Sequence, residues 1–591
     1  MYLSRIATPD DVKVLDRCEL PLLCSEIREA IIASSAAVGG HVGPNLGSIE
    51  LTVALHRVFN SPHDKIIFDV SHQTYAHKAL TGRARAYLDP AHYNEVSGFS
   101  NPTESEHDLF AMGHTSTSIG LALGMACARD LAHDTYDVVA IIGDGSLSCG
   151  LAFEGLDNAA DYTGGLIIIV NDNEQSIAEN HGGLYRNLAE LRASRGTAPN
   201  NLFRALGLDY RYVGEGNDVL ALVDALEKLR SCDHPVVVHV HTRKGMGFAP
   251  AERDPEGWHH VGPFDRETGQ KLSSRTASAG PDYAELTAAA LISRMQDDEN
   301  VIAITAATPY IMGFTPQRRA QAGRQFVDVG IAEEYAVTFA AALARAGAKP
   351  VLGIYGTFLQ RAYDQLWHDV CLNGTPATIL VFGASVFGTT DQTHLGYFDI
   401  SMLGNMPGLR YLAPTGPEEY LAMLAWSLDQ RDCPVAIRVP VALPYPAAAL
   451  PTDAAFDAPA YQTVRTGSHI AILALGDFFV LGEQLAAAIE QRAGIVPTLV
   501  NPRFVTELDK PYLTELAQTH DLIITLEDGV LEGGWGEKIA RYLSPLGTHV
   551  RCHGVHIGFP DRYVPQELLA ENGMTVDAMA EDALRLLGTI E

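Results

Sequence analysis

Two short runs of apolar, mostly β-branched residues, 138–142 and 166–170, constrain the fold of this chain more than any other feature. Neither run alternates apolar with polar. Such runs belong to strands covered by helices on both faces of a parallel sheet. Each stops at a polar corner, Gly143-Asp144-Gly145-Ser146 after the first and Asn171-Asp172-Asn173 after the second. Residues 151–159 between them read as a crossover helix, so that strand, helix and strand form one right-handed βαβ unit. Asp144 and Asn173 then stand at neighbouring strand ends, on the edge where open parallel sheets bind ligands.

Two hard oxygen donors on one edge suit Mg²⁺, which takes an octahedral oxygen shell drawn from a few protein ligands, water and phosphates. Gly143 and Gly145 lack a Cβ and let the backbone approach phosphate oxygens, and the N-terminus of the following helix favours negative charge. Gly-Asp-Gly alone is an ordinary strand-to-helix turn capped by Asp144. The Asn-Asp-Asn end of the next strand is what points to a diphosphate and its metal.

At 591 residues the chain is too long for one core, and about three domains are expected. With 42 basic and 72 acidic side chains the net charge is −30, which opposes binding to nucleic acid or an anionic membrane. An anionic ligand therefore needs a local positive site. The eight cysteines are scattered without metal-ligand spacing, so reduced, mostly buried thiols are expected. No apolar run approaches a membrane span and residues 1–20 lack a signal-peptide pattern, so a cytoplasmic location is expected.

Along the chain, residues 24–34 read as a helix, 39–47 as a glycine-rich loop, and Leu51, Ala54, Leu55 and Val58 as the apolar face of another helix. A strand at 66–70 carries His72 to its end, and His41 lies in the preceding loop. Gly113-His114-Thr115-Ser116-Thr117-Ser118 precedes an Ala/Gly-rich helix and offers donors to a phosphate. Residues 180–200 read as a mobile lid or surface excursion. Gly214-Glu215-Gly216 is only half of a dinucleotide fingerprint, because Val219 stands where the third glycine belongs. A strand at 235–240 leads to Lys244, and 262–281 reads as a polar linker. The second domain has strands at 301–304, 351–355 and 377–382, with a strand-to-helix corner at 326–334. An Ala/Pro-rich linker at 441–460 precedes strands at 470–475, 497–500 and 522–526. The fold class is thus α/β with mostly parallel sheets, divided as 1–280, 281–445 and 446–591.

Gly-Asp-Gly followed about thirty residues later by Asn resembles the thiamine diphosphate signature. Gly-His-Thr-Ser-Thr-Ser (113–118), Gly-Ile-Ala-Glu (330–333), Thr-Phe-Leu-Gln-Arg-Ala-Tyr-Asp-Gln (357–365) and Gln-Thr-His (392–394) extend the resemblance over nearly the full length. It is to the 1-deoxy-D-xylulose 5-phosphate synthase family of transketolase-like enzymes. The resemblance implies a transketolase-like fold and a homodimer. It also implies that domain one holds the diphosphate and Mg²⁺, domain two the aminopyrimidine, with the active site between these two domains of one chain. Asp144, Asn173 and the backbone carbonyl of Gln175 match the metal ligands. His114, Thr115, Ser116, Gly143, Gly145, Ser146 and Lys244 fall in the diphosphate region, and Phe358 matches the ring stacked on the pyrimidine. Glu333 matches the glutamate that hydrogen-bonds the aminopyrimidine, and burial would suit its proton exchange. His41, His72 and His394 match histidines that orient substrate and move protons. Tyr355, Arg361 and His259 match substrate-region residues. The substrates implied are a 2-oxo acid donor and an aldehyde acceptor.

The chain departs from the family at the acceptor. Two arginines grip the acceptor phosphate in the family; here Gly383 and Val441 stand at those positions, while Arg438 matches a different residue. A family aspartate falls at Thr390 and a further arginine at Ala91, and the segment after Asn180 is shorter. An altered, unphosphorylated aldehyde or ketone acceptor is the expectation, set against a true synthase with relocated phosphate contacts. Transketolase-type ketol transfer without decarboxylation and a noncatalytic cofactor-binding paralogue are the competing readings. A nicotinamide dehydrogenase lacks its fingerprint.

Overall fold

The computed structural model describes residues 1–272, 282–441 and 456–588. The expected domain boundaries at 280/281 and 445/446 lie outside the described residues, as does most of the 441–460 linker. The chain divides into two compact units, Met1–Ala277 with Gly330–Ala332, and Ser278–Val329 with Glu333–Glu591.

The first unit is built on a five-stranded parallel sheet of β1 (Lys65–Phe68), β2 (Val138–Gly143), β3 (Leu166–Asp172), β4 (Asp209–Val213) and β5 (Pro235–His241) in the order β1-β2-β3-β5-β4. Alternate residues of the central strands feed two separate cores. Val139, Ile141, Ile167 and Ile169 pack in one cluster with the helices Leu20–Val38 and Val42–Val58. Val138, Ala140, Ile142, Ile168 and Val170 pack in the other with the helices Ser118–Ala132 and Gly150–Ala160. Burial on both faces is why these strands carry no alternation, and β2 and β3 are adjacent and parallel as the βαβ reading requires.

The second unit contains two sheets. β6 (Val301–Thr305), β7 (Phe326–Asp328), β8 (Lys349–Tyr355), β9 (Thr378–Phe382), β10 (Arg410–Leu412) and β11 (Val435–Arg438) form a parallel sheet ordered β10-β11-β9-β8-β6-β7. β12 (Gln462–Arg465), β13 (His469–Ala474), β14 (Thr498–Asn501), β15 (His520–Val530) and β16 (His549–Val555) form the other, ordered β12-β14-β13-β15-β16, with β12 antiparallel at its edge. Arg438, at the end of β11, is buried between Asp399 and Asp528, donating through Nε to Asp399 at 2.9 Å and through a terminal nitrogen to Asp528. This ion group joins the two sheets of the unit.

The structure corrects several expectations. Residues 39–47 are not all loop, because the helix Val42–Val58 starts inside them. Gly43 and Gly47 are there for close approach: a Cβ on Gly43 would lie 3.0 Å from the Trp258 carbonyl oxygen, and one on Gly47 2.9 Å from that of Arg243. The 262–281 linker starts later than expected, since Phe264 is buried against Trp258 and Phe248 in the first unit; residues 273–281 lie outside the described residues. Residues 180–200 are not simply an excursion. They contain the helix Gly183–Ala193, whose Leu188 and Leu191 are fully buried. Three of the eight cysteines are buried, three intermediate and two exposed, and all are free thiols. No described helix is long and apolar enough to cross a membrane.

Two mutations test this account. Leu188→Ala should lower the stability of the first unit by about 2–5 kcal/mol, read by urea unfolding, because a cavity opens in its core; an excursion outside the core would tolerate the change. Arg438→Met should destabilise the second unit by about 3–5 kcal/mol, since it leaves Asp399 and Asp528 buried without their cation.

Candidate active site

The carboxyl edge of the first unit's sheet gathers the predicted phosphate and metal residues. Asp144 follows β2 and is 1% exposed. Its carboxylate accepts from Asn180 Nδ2 at 2.7 Å. Burial first, and then the negative charge of Asp172, push its carboxyl well above the usual range, while Lys244 pulls the other way. Lys244 is itself buried, donates to the Ser176 carbonyl at 2.6 Å, and is drawn down to about 8 by desolvation, which Asp144 partly offsets. Asn173 Oδ1 accepts from the Gln175 backbone N–H at 3.2 Å, which fixes the turn bearing that residue's carbonyl.

This corner has the features of a site for a metal-bound diphosphate. The donors are all oxygens, a buried carboxylate has incomplete compensation, and the buried Ser176 Oγ and Asn180 Oδ1 have no hydrogen-bond partner. A Cβ on Gly145 would crowd Ser176 at 3.0 Å, whereas one on Gly143 would meet nothing within 4 Å, so Gly143 faces open space. His114 and Thr115 are half-buried before the helix Ser118–Ala132. Ser116 has a different part. Its φ is +77°, its N–H donates to Asp69 Oδ1 at 2.7 Å, and its hydroxyl donates to the Ser146 carbonyl at 2.7 Å. Its polar groups thus join the two loops, with Asp69 also accepting from the Ser118 N–H at 3.1 Å. Val70 (φ 58°) and Ser71 (φ 69°) are left-handed on the same edge, and such conformations persist only where the surroundings enforce them.

Three predicted histidines of this unit come together. The His41 ring centroid lies 5.1 Å from that of His72 and 5.8 Å from that of His259, with His72 and His259 5.1 Å apart. Asn45, fully buried, donates through Nδ2 to the carbonyls of both His41 (2.6 Å) and His72 (2.7 Å), and its Oδ1 accepts from the Tyr75 N–H at 2.9 Å. The Tyr75 hydroxyl accepts from the His41 N–H at 3.1 Å. Desolvation, followed by Lys244 and the neighbouring imidazoles, holds His259 well below the ordinary histidine range.

The second unit gathers the remaining predicted residues. Glu333 opens the helix Glu333–Arg345 and is 4% exposed. Desolvation raises its carboxyl, opposed chiefly by Arg361, which donates to Oε2 at 3.2 Å. Arg361 is therefore tied to Glu333 rather than held in a surface ion pair. The Phe358 ring lies edge-on to Tyr355 (5.6 Å) and to His394 (5.7 Å). Burial lowers the His394 imidazole to about 4, and Thr393 Oγ1 shares a hydrogen bond with its Nδ1 at 2.8 Å.

Sequence reasoning missed Asn45, Asp69, Tyr75 and Asn180. Asp69 ends an apolar strand run as Asp144 does, a signal that was available. Asn45 and Tyr75 act on backbone atoms and carry no motif.

Three family models cover the chain in succession: 1-deoxy-D-xylulose-5-phosphate synthase over residues 3–198, the transketolase pyrimidine binding domain over 279–445 and the transketolase C-terminal domain over 460–579. The chain is 39% identical to 1-deoxy-D-xylulose-5-phosphate synthase 1 of Geobacter metallireducens, with 97% of each chain covered. It is also 39% identical to the synthase of Heliobacterium modesticaldum, over 99% of this chain and 95% of that one. A solved transketolase from Pichia stipitis covers 96% of this chain and 98% of its own at 16% identity and a TM-score of 0.45. With the succession of domains and the near-complete coverage at 39% identity, the chain belongs to the 1-deoxy-D-xylulose-5-phosphate synthase family.

Proposed function

We propose that this protein is a thiamine diphosphate- and Mg²⁺-dependent transferase, acting as a homodimer, that decarboxylates a 2-oxo acid and joins the remaining two-carbon unit to an aldehyde. The observation that carries the reading is the buried, undercompensated Asp144 carboxylate at the end of β2, beside Asn173 and the Gln175 turn. Asp144, Asn173 and the Gln175 carbonyl would hold the metal, and Lys244 would add positive charge for the diphosphate. Bound there, thiamine diphosphate supplies the electron sink that lets a carboxylate leave as CO₂. Glu333 exchanges a proton with the aminopyrimidine, and its raised carboxyl suits that task. Arg361 orients Glu333 by charge and hydrogen bond. His41, His72 and His394 orient the substrate and move protons.

The acceptor is proposed to be unphosphorylated. Gly383 stands where the family carries a phosphate-gripping arginine. It has φ +63°, and a Cβ there would lie 3.0 Å from the Tyr355 ring, so a larger residue would be strained as well as crowded. At the second position, Val441 donates its N–H to Asp477 at 3.1 Å. Arg438 is committed to two aspartates and offers no substitute. A desolvated phosphate with no cationic partner is strongly disfavoured.

Purified protein with thiamine diphosphate and Mg²⁺ should release CO₂ from pyruvate faster with glyceraldehyde than with glyceraldehyde 3-phosphate. Strict dependence on the phosphate would overturn the acceptor assignment. Ketol transfer without CO₂ would favour the transketolase-type reaction, and failure to bind the cofactor would favour a noncatalytic paralogue. Glu333→Gln should lower kcat by about 10²–10⁴-fold with the circular dichroism spectrum unchanged. A variant as fast as the parent would remove Glu333 from the mechanism.

A further inference from the structure

The His41 ring has a nearer neighbour than either histidine predicted beside it. His260 lies 4.7 Å away at an interplanar angle of 67°, closer than His72, Phe99 at 5.4 Å or His259. The backbone enforces this approach. Gly40 donates to the Val261 carbonyl at 2.8 Å and Val261 donates to that of Gly40 at 3.0 Å, an antiparallel bridge. In an antiparallel pair the next residue on one strand faces the preceding one on the other, which sets His41 opposite His260. Gly43 N–H donates to the Trp258 carbonyl at 2.9 Å and extends the lacing, while Trp258 is anchored in the core against Phe248 and Phe264. Gly39 permits the approach: its φ is +85°, and a Cβ there would sit 2.7 Å from the Val261 oxygen.

Exposure separates His260 from the other rings. His41, His72 and His259 are half-buried, and His260 is exposed. Such a ring can exchange protons with solvent. A 2-oxo acid anion and an aldehyde give a ketol and CO₂ with one carbon–carbon bond broken and one formed. The alkoxide left on the acceptor oxygen takes up a proton that comes, in net balance, from water.

We propose that His260 is a positioning residue that acts through His41, orienting its imidazole and passing protons between bulk water and that ring. The inference rests on the carboligation reading of the same site. It assigns nothing to the metal corner.

His260→Ala should lower kcat about tenfold or more while leaving KM for both substrates nearly unchanged, and added imidazole should restore much of the rate because it refills the relay. His260→Gln, which fills the space without titrating, should be slow and should not respond to imidazole. An unchanged rate, or a loss that imidazole does not rescue, would overturn the proposal. A readout free of turnover is the ¹⁵N-imidazole titration of His41, which faces His72, His259 and His260, with Lys244 acting on His259. His260→Ala should move the His41 midpoint, and an unmoved midpoint would count against the pairing. If the parent chain releases no CO₂ with any acceptor, the carboligation reading fails, and the His41 titration still decides whether the two rings are coupled.

Discussion

Two carboxylates buried at the ends of neighbouring strands govern the first unit. Asp172, on β3, is fully compensated: His239 Nε2 lies 2.8 Å from its Oδ2, Arg192 pairs with the same oxygen, and these partners outweigh burial so that its carboxyl stays below the ordinary range. Asp144, after β2, has the Asn180 amide, the backbone N–H groups of Gly145 and Asn173 and the charge of Lys244, and these do not offset burial and the negative charge of Asp172, so its carboxyl stays well above the ordinary range. Burying a charge that its partners do not fully offset costs several kcal/mol, and a cation of the kind proposed for this corner would relieve that cost. The surrounding elements follow from that. β5 brings His239 under Asp172 and ends in the segment bearing Lys244, while the helix Gly183–Ala193 supplies Arg192. The segment after Asn180 is thus held to the end of β3 by the Arg192–Asp172 pair and to the core by Leu188 and Leu191.

This explains which parts of the protein could be read from its sequence. The strands at 138–142 and 166–170 were legible because two-sided burial excludes polar residues, and the Asp144 and Asn173 corners were legible because polar residues interrupt those runs abruptly. β4 and β12 were not, since Asp209-Tyr210-Arg211-Tyr212-Val213 and Gln462-Thr463-Val464-Arg465 are edge strands rich in polar residues. The helix Val42–Val58 was obscured by glycines and a proline that read as loop, although Gly43 and Gly47 serve close backbone contact. The helix Gly183–Ala193 was missed because its apolar stripe is narrow, with Leu184, Leu188 and Leu191 set among polar residues. The candidate site residues that would act through side-chain chemistry come from the family motifs. Those that act through backbone hydrogen bonds, Asn45 and Asp69 above all, were not, because any small polar residue in a loop looks the same until the chain is folded.

The second unit handles charge differently. Arg438 lies among Asp399, Asp528 and Asp477, and burial, followed by the charge of Asp528, pushes the Asp477 carboxyl well above the ordinary range. The Arg438 guanidinium is engaged within the unit, donating to the Asp399 and Asp528 carboxylates and to the Asp528 carbonyl.

For the unphosphorylated acceptor proposed above, steric and electrostatic effects both bear on the choice, and their sizes decide which matters more. The crowding at Gly383 amounts to one contact of 3.0 Å and a left-handed φ, a strain of order 1–3 kcal/mol that neighbouring shifts can absorb. Removing a bidentate guanidinium from a desolvated phosphate costs more, because each charge-assisted hydrogen bond is about twice as strong as a neutral one and the anion is left without compensation. On the proposed reading loss of charge is thus the dominant change, and the left-handed glycine adds a smaller cost to restoring it at that position. On the proposed reading, a neutral acceptor avoids the whole penalty, since its hydroxyls call for hydrogen bonds rather than for a buried cation.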